Sequence, residues 1–182
     1  MSLFTISFGN AAMECSIWSS SGEARAGLSP TLVIANEYGS GSGPVYVFSS
    51  AGNSSQGGPP LAVGIQMDSE FESPSILGGE WGGMCWIGCN SHLYGISPRM
   101  TIECEINLDS RFDSFRLFSS LDRLIVIAEV GVFAVCDDGE IDWRVDLDIV
   151  TAVRWEGESV LISQMDRPKL RVELRNGSIS SP

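Results

Sequence analysis

Along this chain apolar residues either alternate with polar ones or gather in short runs, and Gly, Ser, Asn and Asp interrupt them every few positions. That is a period of two rather than 3.6, and it predicts strands joined by tight turns with almost no helix. One pattern returns four times. An apolar pair closed by a small residue (Val33-Ile34-Ala35, Trp86-Ile87-Gly88, Val126-Ile127-Ala128 and Leu161-Ile162-Ser163) is followed by a polar connection and a second apolar run. The second runs begin at Val45, Leu93, Val132 and Leu170, and three of them reach a glycine after the same interval, at Gly52, Gly139 and Gly177. The fourth has Met100 there. A recurring unit of this kind indicates a repeat architecture. Its large apolar residues, Val33, Ile34, Ile87, Val126, Ile127, Leu161 and Ile162, are the expected core, each contributing about 1.5–3 kcal/mol when buried.

The repeat is clearest in the third copy. Leu124-Ile125-Val126-Ile127-Ala128 is a continuous apolar run, as expected of a strand covered on both faces. Val132-Phe133-Ala134-Val135 follows after three residues, a connection suited only to a hairpin. Asp138-Gly139 then offers a turn in which glycine takes positive φ. Ile141-Asp142-Trp143-Arg144-Val145 alternates, and 149–155 reads as a fourth strand before Glu156-Gly157 turns the chain back. The wording of 132–143, Val-Phe-Ala-Val-Cys-Asp-Asp-Gly-Glu-Ile-Asp-Trp, resembles the β-propeller blade repeat of the quinoprotein (PQQ-like) type. In that family a strand ending near an Asp leads to a glycine turn and then to a Trp four residues on, and Trp143 stands four past Gly139. The resemblance implies a blade in which Trp143 docks one sheet on the next. Residues 93–104 keep the strand pattern but carry Arg99-Met100 at the turn and Cys104 in place of the Trp. No quinone-binding residue is carried over, and no cofactor is expected.

These readings combine into one all-β domain over 1–182, a small four-bladed propeller of four-stranded antiparallel meanders. Its repeats fall near 32–80, 84–120, 124–157 and 160–182, the last completed by strands from 1–20 so that both termini close the ring. Small residues at the ends of the first strands suit the crowding expected where blades converge. The alternative is a β-sandwich built from the same strands. The stretch 37–83 is looser, with glycine-rich segments at 39–43 and 52–60. Neither has the lysine and following helix that a phosphate cradle needs, so both read as loops.

Charge narrows the partners. The formal charge is −12, with only 11 basic residues among 182 and no run of them. Nucleic-acid binding and anionic membrane surfaces, which need clustered Lys and Arg, are therefore not expected. A basic protein partner or a cation remains compatible. The start of the chain lacks a basic region followed by a long apolar run, which points to the cytoplasm.

Little in the sequence carries chemistry. Five cysteines, Cys15, Cys85, Cys89, Cys104 and Cys136, are an odd number for a disulfide framework and read as buried thiols. A Cys85, Cys89, His92 metal cluster is the sharper alternative, although its spacing departs from the usual zinc knuckle. His92 is the only histidine, and neither a Gly-x-Ser-x-Gly elbow nor His-Glu-x-x-His occurs. On a propeller, the starts of the small-ended strands and the turns after the runs that follow them open on one face. Those places hold Asp122, Arg123, Asp137, Asp138, Glu156 and Glu158, an acidic face for a protein or cationic ligand. The expected function is a non-catalytic interaction module. The alternative is a small hydrolase using paired carboxylates at the mouth of the ring.

Overall fold

The computed structural model describes residues 3–8, 11–28, 33–35, 43–50, 62–70, 73–78 and 81–182. The fold is all-β. Its strands form four sheets that succeed one another along the chain, as propeller blades do, and not the two layers of a sandwich. The first sheet contains β1 (Leu3–Phe8), β2 (Ala11–Trp18), β3 (Val33–Ala35), β4 (Val45–Ser50) and β5 (Ala62–Gln66), in the order β1-β2-β4-β5-β3. The second is β6 (Ser75–Leu77), β7 (Cys85–Cys89), β8 (His92–Ile96) and β9 (Ile102–Asn107). The third is β10 (Phe112–Phe118), β11 (Arg123–Ala128), β12 (Gly131–Val135) and β13 (Ile141–Asp146). The fourth is β14 (Val150–Glu156), β15 (Ser159–Gln164), β16 (Leu170–Glu173) and β17 (Ile179–Ser180).

The meanders are real, but their phase is one strand earlier than the sequence suggests. The small-ended runs of the last three repeats are β7, β11 and β15, each the second strand of its sheet. Residues 149–155, expected to finish the third meander, instead open the fourth as β14. Alternation of apolar and polar residues fixes which face a strand buries and is silent on which neighbour it pairs with. Ala128 and Ser163 lie where the facing strand bulges, at Phe112/Ser114 and Val150/Ala152. A bulge sets two residues against one, and a small residue opposite it relieves that crowding.

The pairing expected between the N-terminal strands and the last repeat is not the one formed. β1 pairs along its whole length with β2, and the other side of β2 pairs with β4. The short connection makes the local hairpin entropically cheap. The fourth sheet is completed from within, by β14 and β17. The first repeat also differs: Val33-Ile34-Ala35 does not pair with the following run but lies parallel beside β5. Gly52 and the segments 39–42 and 52–60 lie outside the described residues.

One short helix, α1 (Ser21–Gly27), interrupts the run of strands. Its signal is the capping pair Ser20 and Glu23. The Ser20 hydroxyl accepts from the Glu23 N–H at 3.2 Å, and Ala24 anchors the helix in an apolar cluster with Val45 and Val47. No helix among the described residues is long and apolar enough to cross a membrane.

The described chain divides into two compact units, Met1–Asn90 with Tyr94–Glu105 and Ser91–Leu93 with Ile106–Pro182. The first buries a varied core that includes Met13, Cys15, Phe48, Ile65, Ile87, Tyr94 and Met100. The second buries mainly β-branched and leucine side chains, among them Ile125, Ile127, Val160, Ile162 and Leu174. Of the expected core, Ile34, Ile87, Val126, Ile127 and Ile162 are buried and Leu161 is half-buried. The side chain of Val33 lies outside the described residues.

Candidate functional site

All six residues of the expected face belong to the second unit, at the turn ends of its two sheets. In the third sheet the β10–β11 turn ends at Asp122, which takes positive φ (52°), a conformation that aspartate tolerates better than most residues. Arg123 opens β11. Its Nη1 donates to the Asp122 carbonyl at 2.8 Å and its Nε to the Asp142 carboxylate on β13 at 3.0 Å. Because β11 and β13 flank β12 on either side, this ion pair straps three strands at one end. The hydrogen bond that Arg123 donates to Asp142 raises its guanidinium above the ordinary value.

Across the same end runs the β12–β13 turn. The Cys136 N–H donates to the Glu140 carbonyl at 2.8 Å and the Gly139 N–H to the Cys136 carbonyl at 3.1 Å. Gly139 takes φ 91°, as expected for this glycine. Asp138 Oδ1 accepts the Glu140 N–H at 3.0 Å, which leaves Asp137 and Asp138 exposed at the tip. The neighbouring Cys136 thiol is pushed up, first by burial and then by the aspartates around it, against the opposing pull of Arg123.

The equivalent end of the fourth sheet is less acidic than its wording suggests. Glu156 closes β14, Gly157 turns with φ 61°, and Glu158 precedes β15. Arg154 donates to one Glu156 carboxylate oxygen, and Arg171 Nη2 donates to the other at 2.9 Å. The Arg154 hydrogen bond, reinforced by both guanidinium charges and opposed by partial desolvation, holds the Glu156 carboxyl below its usual range. Arg175 Nη2 stands 3.4 Å from Glu158. These arginines are the functional-site residues the sequence reading missed. A signal existed: Arg154 and Glu156 are two apart on a strand, which puts both on one face.

Two aromatic contacts bring the ends of these two sheets together. Phe118, at the end of β10, and Trp155, at the end of β14, have ring centroids 5.5 Å apart, with the Arg116 guanidinium over both at 5.3 and 5.9 Å. Trp143 of β13 lies against Gly177 in the β16–β17 turn, where a methyl carbon would stand 2.8 Å from the indole Cε3. Trp143 thus docks the third sheet on the fourth, the role expected of it. By strand order the turns at 119–122 and 136–140 share one end of the third sheet, and those at 156–159 and 174–178 share one end of the fourth. Asp122, Arg123, Asp137, Asp138, Glu156 and Glu158 lie at or beside these turns.

The cysteine cluster does not form. Cys85 and Cys89 are both buried on β7, and four steps along the strand separate their backbones by about 13 Å, too far for one metal ion. No group of three or more His, Cys, Asp and Glu placed to hold a metal occurs among the described residues. Burial raises the Cys85 thiol to about 12 and the Cys15 thiol likewise, the latter helped by the proximity of Cys85. His92 opens β8 rather than lying in the preceding loop, and its Nδ1 is 3.1 Å from the Ser91 hydroxyl.

No protein-family model and no curated protein matches the chain. Among solved structures it is similar to the WD40 domain of Pan2 from Neurospora crassa, at 12% identity and TM-score 0.47, over 59% of this chain and 36% of that one. BamB from Moraxella catarrhalis is similar at 17% identity and TM-score 0.44, over 97% of this chain and 46% of that one. Apo AztD from Citrobacter koseri is similar at 12% identity and TM-score 0.46, over 98% and 45%. The chain therefore spans between about a third and a half of the length of each of these proteins.

Proposed function

We propose that this chain is a non-catalytic binding module, acting in the cytoplasm, whose turn rim in the second unit takes a basic surface of a protein partner. The observation that carries this reading is the division of labour among the charges. Arg123 is tied to Asp142 and Arg154, Arg171 and Arg175 to the rim carboxylates Glu156 and Glu158, while Asp137 and Asp138 project from a hydrogen-bonded turn into solvent. The paired groups set the shape of the rim, and the projecting carboxylates supply an attractive field for a cationic partner. Glu156, held below the usual carboxyl range by Arg154, is suited to staying ionised, whereas a general acid needs the opposite shift.

Such recognition acts through steering and is salt-sensitive, because the screening length falls to about 8 Å at physiological ionic strength. Reversing Asp137, Asp138 and Glu158 to Lys is expected to lower the melting temperature only slightly, since exposed ion pairs contribute little and loss of the Asp138 turn acceptor costs about 0.5–1 kcal/mol. The same variant should lose partners recovered by pull-down from the native host, and lose them most at low salt. Recovery of the same partners by the reversed protein would remove the rim from consideration.

A further inference from the structure

At the opposite end of the same two sheets lies an open cleft of about 830 Å³. It runs between the end of β13 (Asp146), the loop before β16 (Arg167, Lys169) and β17 (Ile179, Ser180). None of these residues belongs to the rim.

Each sheet from the second to the fourth ends in an edge strand, and the three edges are not alike. β9 carries exposed Glu103 and Glu105, and β13 carries Asp142, Arg144 and Asp146, charges of the kind that discourage another strand from adding on. β17 carries none: it presents Ile179, 57% exposed, and Ser180. Its backbone is also oriented to receive a partner. β16 and β17 register Arg171 with Ser180 and Val172 with Ile179, and the Glu173 N–H donates to the Ser178 carbonyl at 2.9 Å. Bonded and non-bonded pairs alternate in an antiparallel ladder, so the N–H and C=O of Ile179 point away from β16 to the open side.

Charge selects the occupant. The cleft is lined by two basic residues, Arg167 and Lys169, and two acidic ones, Asp146 and Asp148. In the cleft Asp146 is held by Arg144 at 2.5 Å and Asp148 by Arg167 at 3.6 Å. Lys169 has no ion-pair partner among the described residues. We infer that the β17 edge and this cleft bind an extended acidic segment of another protein, added as a strand beside Ile179 with a carboxylate directed at Lys169.

The test pans a random decapeptide phage library on the immobilised full chain, then measures selected sequences as free labelled peptides by fluorescence anisotropy. Selected peptides are expected to alternate apolar and acidic residues. Ile179→Pro removes the outward N–H without touching the bonds to β16, and proline is tolerated on an edge. It should weaken those peptides by about 5- to 100-fold, the effect of one unsatisfied group at an interface, at an unchanged melting temperature. Lys169→Glu, which lies before β16, should weaken them similarly, and it carries the test if the proline variant unfolds. Failure to enrich any peptide, enrichment of basic ones, or equal binding by both variants would overturn the proposal. So would a concentration-dependent dimer in sedimentation that Ile179→Pro abolishes, which would give the edge to a second copy of the chain. Loss of partners on reversing the distant rim carboxylates does not bear on this outcome, so the two sites fail separately.

Discussion

The hairpin that joins the third and fourth strands of a sheet is built twice on the same hydrogen-bond frame with opposite side chains. In the third sheet the Cys136 N–H meets the Glu140 carbonyl and the Gly139 N–H meets the Cys136 carbonyl; in the second, Ser97 meets Thr101 and Met100 meets Ser97 in the same way. Both need a left-handed residue at the fourth position. Gly139 supplies it with φ 91°, and Met100 with φ 58° while its side chain is buried in the core of the first unit. Backbone ease and core packing thus compete for one position. In the third sheet the backbone wins and an aromatic four residues later does the packing; in the second, packing wins and the backbone bears the strain. The fourth sheet sides with the third, placing Gly177 at φ 70° in a turn one residue longer.

The largest expected effect comes from denying the backbone its glycine. Gly177→Ala forces a Cβ into the left-handed region, at a cost of about 1–2 kcal/mol. It also drives that carbon to 2.8 Å from the Trp143 ring, an overpacking that adds about 1–3 kcal/mol. Urea unfolding should show a loss of about 2–5 kcal/mol in total, with a shift in tryptophan emission. A loss no larger than the left-handed cost alone, about 1–2 kcal/mol, would mean that Trp143 gives way freely and is no dock between the sheets.

Met100→Gly is the converse and should be smaller. Relieving a left-handed residue returns about 1–2 kcal/mol, whereas removing a buried methionine side chain costs about 2–5 kcal/mol. Packing wins that contest, and a net destabilisation of about 1–3 kcal/mol is expected by the same unfolding measurement. A variant more stable than the parent would reverse the ranking, the backbone strain at this turn then outweighing the packing of Met100.

The comparison also shows what was legible in the residues. The glycine interval found the left-handed turn position in every copy whose turn is described, including the one occupied by Met100, because each second run ends in a turn that needs a left-handed residue. Burial of Ile87, Val126, Ile127 and Ile162 was legible because alternation and apolar runs report which face meets the core. Pairing was not. Which strand opens a sheet, and whether β2 turns to β4 or to the last repeat, depends on hydrogen bonds available to any sequence. The rim was legible only as residues at turn ends, since each of the six flanks an apolar run. Its charge balance was not, because Arg171 and Arg175 lie 15 and 17 residues from the carboxylates they meet.

The smallest effect separates the turn's architecture from its charge. Asp138 Oδ1 accepts the Glu140 N–H and Asn176 Oδ1 accepts the Ser178 N–H, both at 3.0 Å, so an Asp and an Asn do one structural task in successive sheets. The second sheet lacks an Asp or Asn at this place and instead ties Ser97 to Thr101 through their hydroxyls at 2.8 Å. Asp138→Ala frees an N–H that water can reach, and a loss of only about 0.5–1 kcal/mol is expected. Asp138→Asn keeps the acceptor, as Asn176 does, and should unfold like the parent. Only the charge is then missing, so Asp138→Asn should still slow association with the basic partner of the rim and flatten its salt dependence. If Asp138→Asn associates like the parent while Asp138→Ala does not, the aspartate serves the turn alone and the partner reads the shape of the rim.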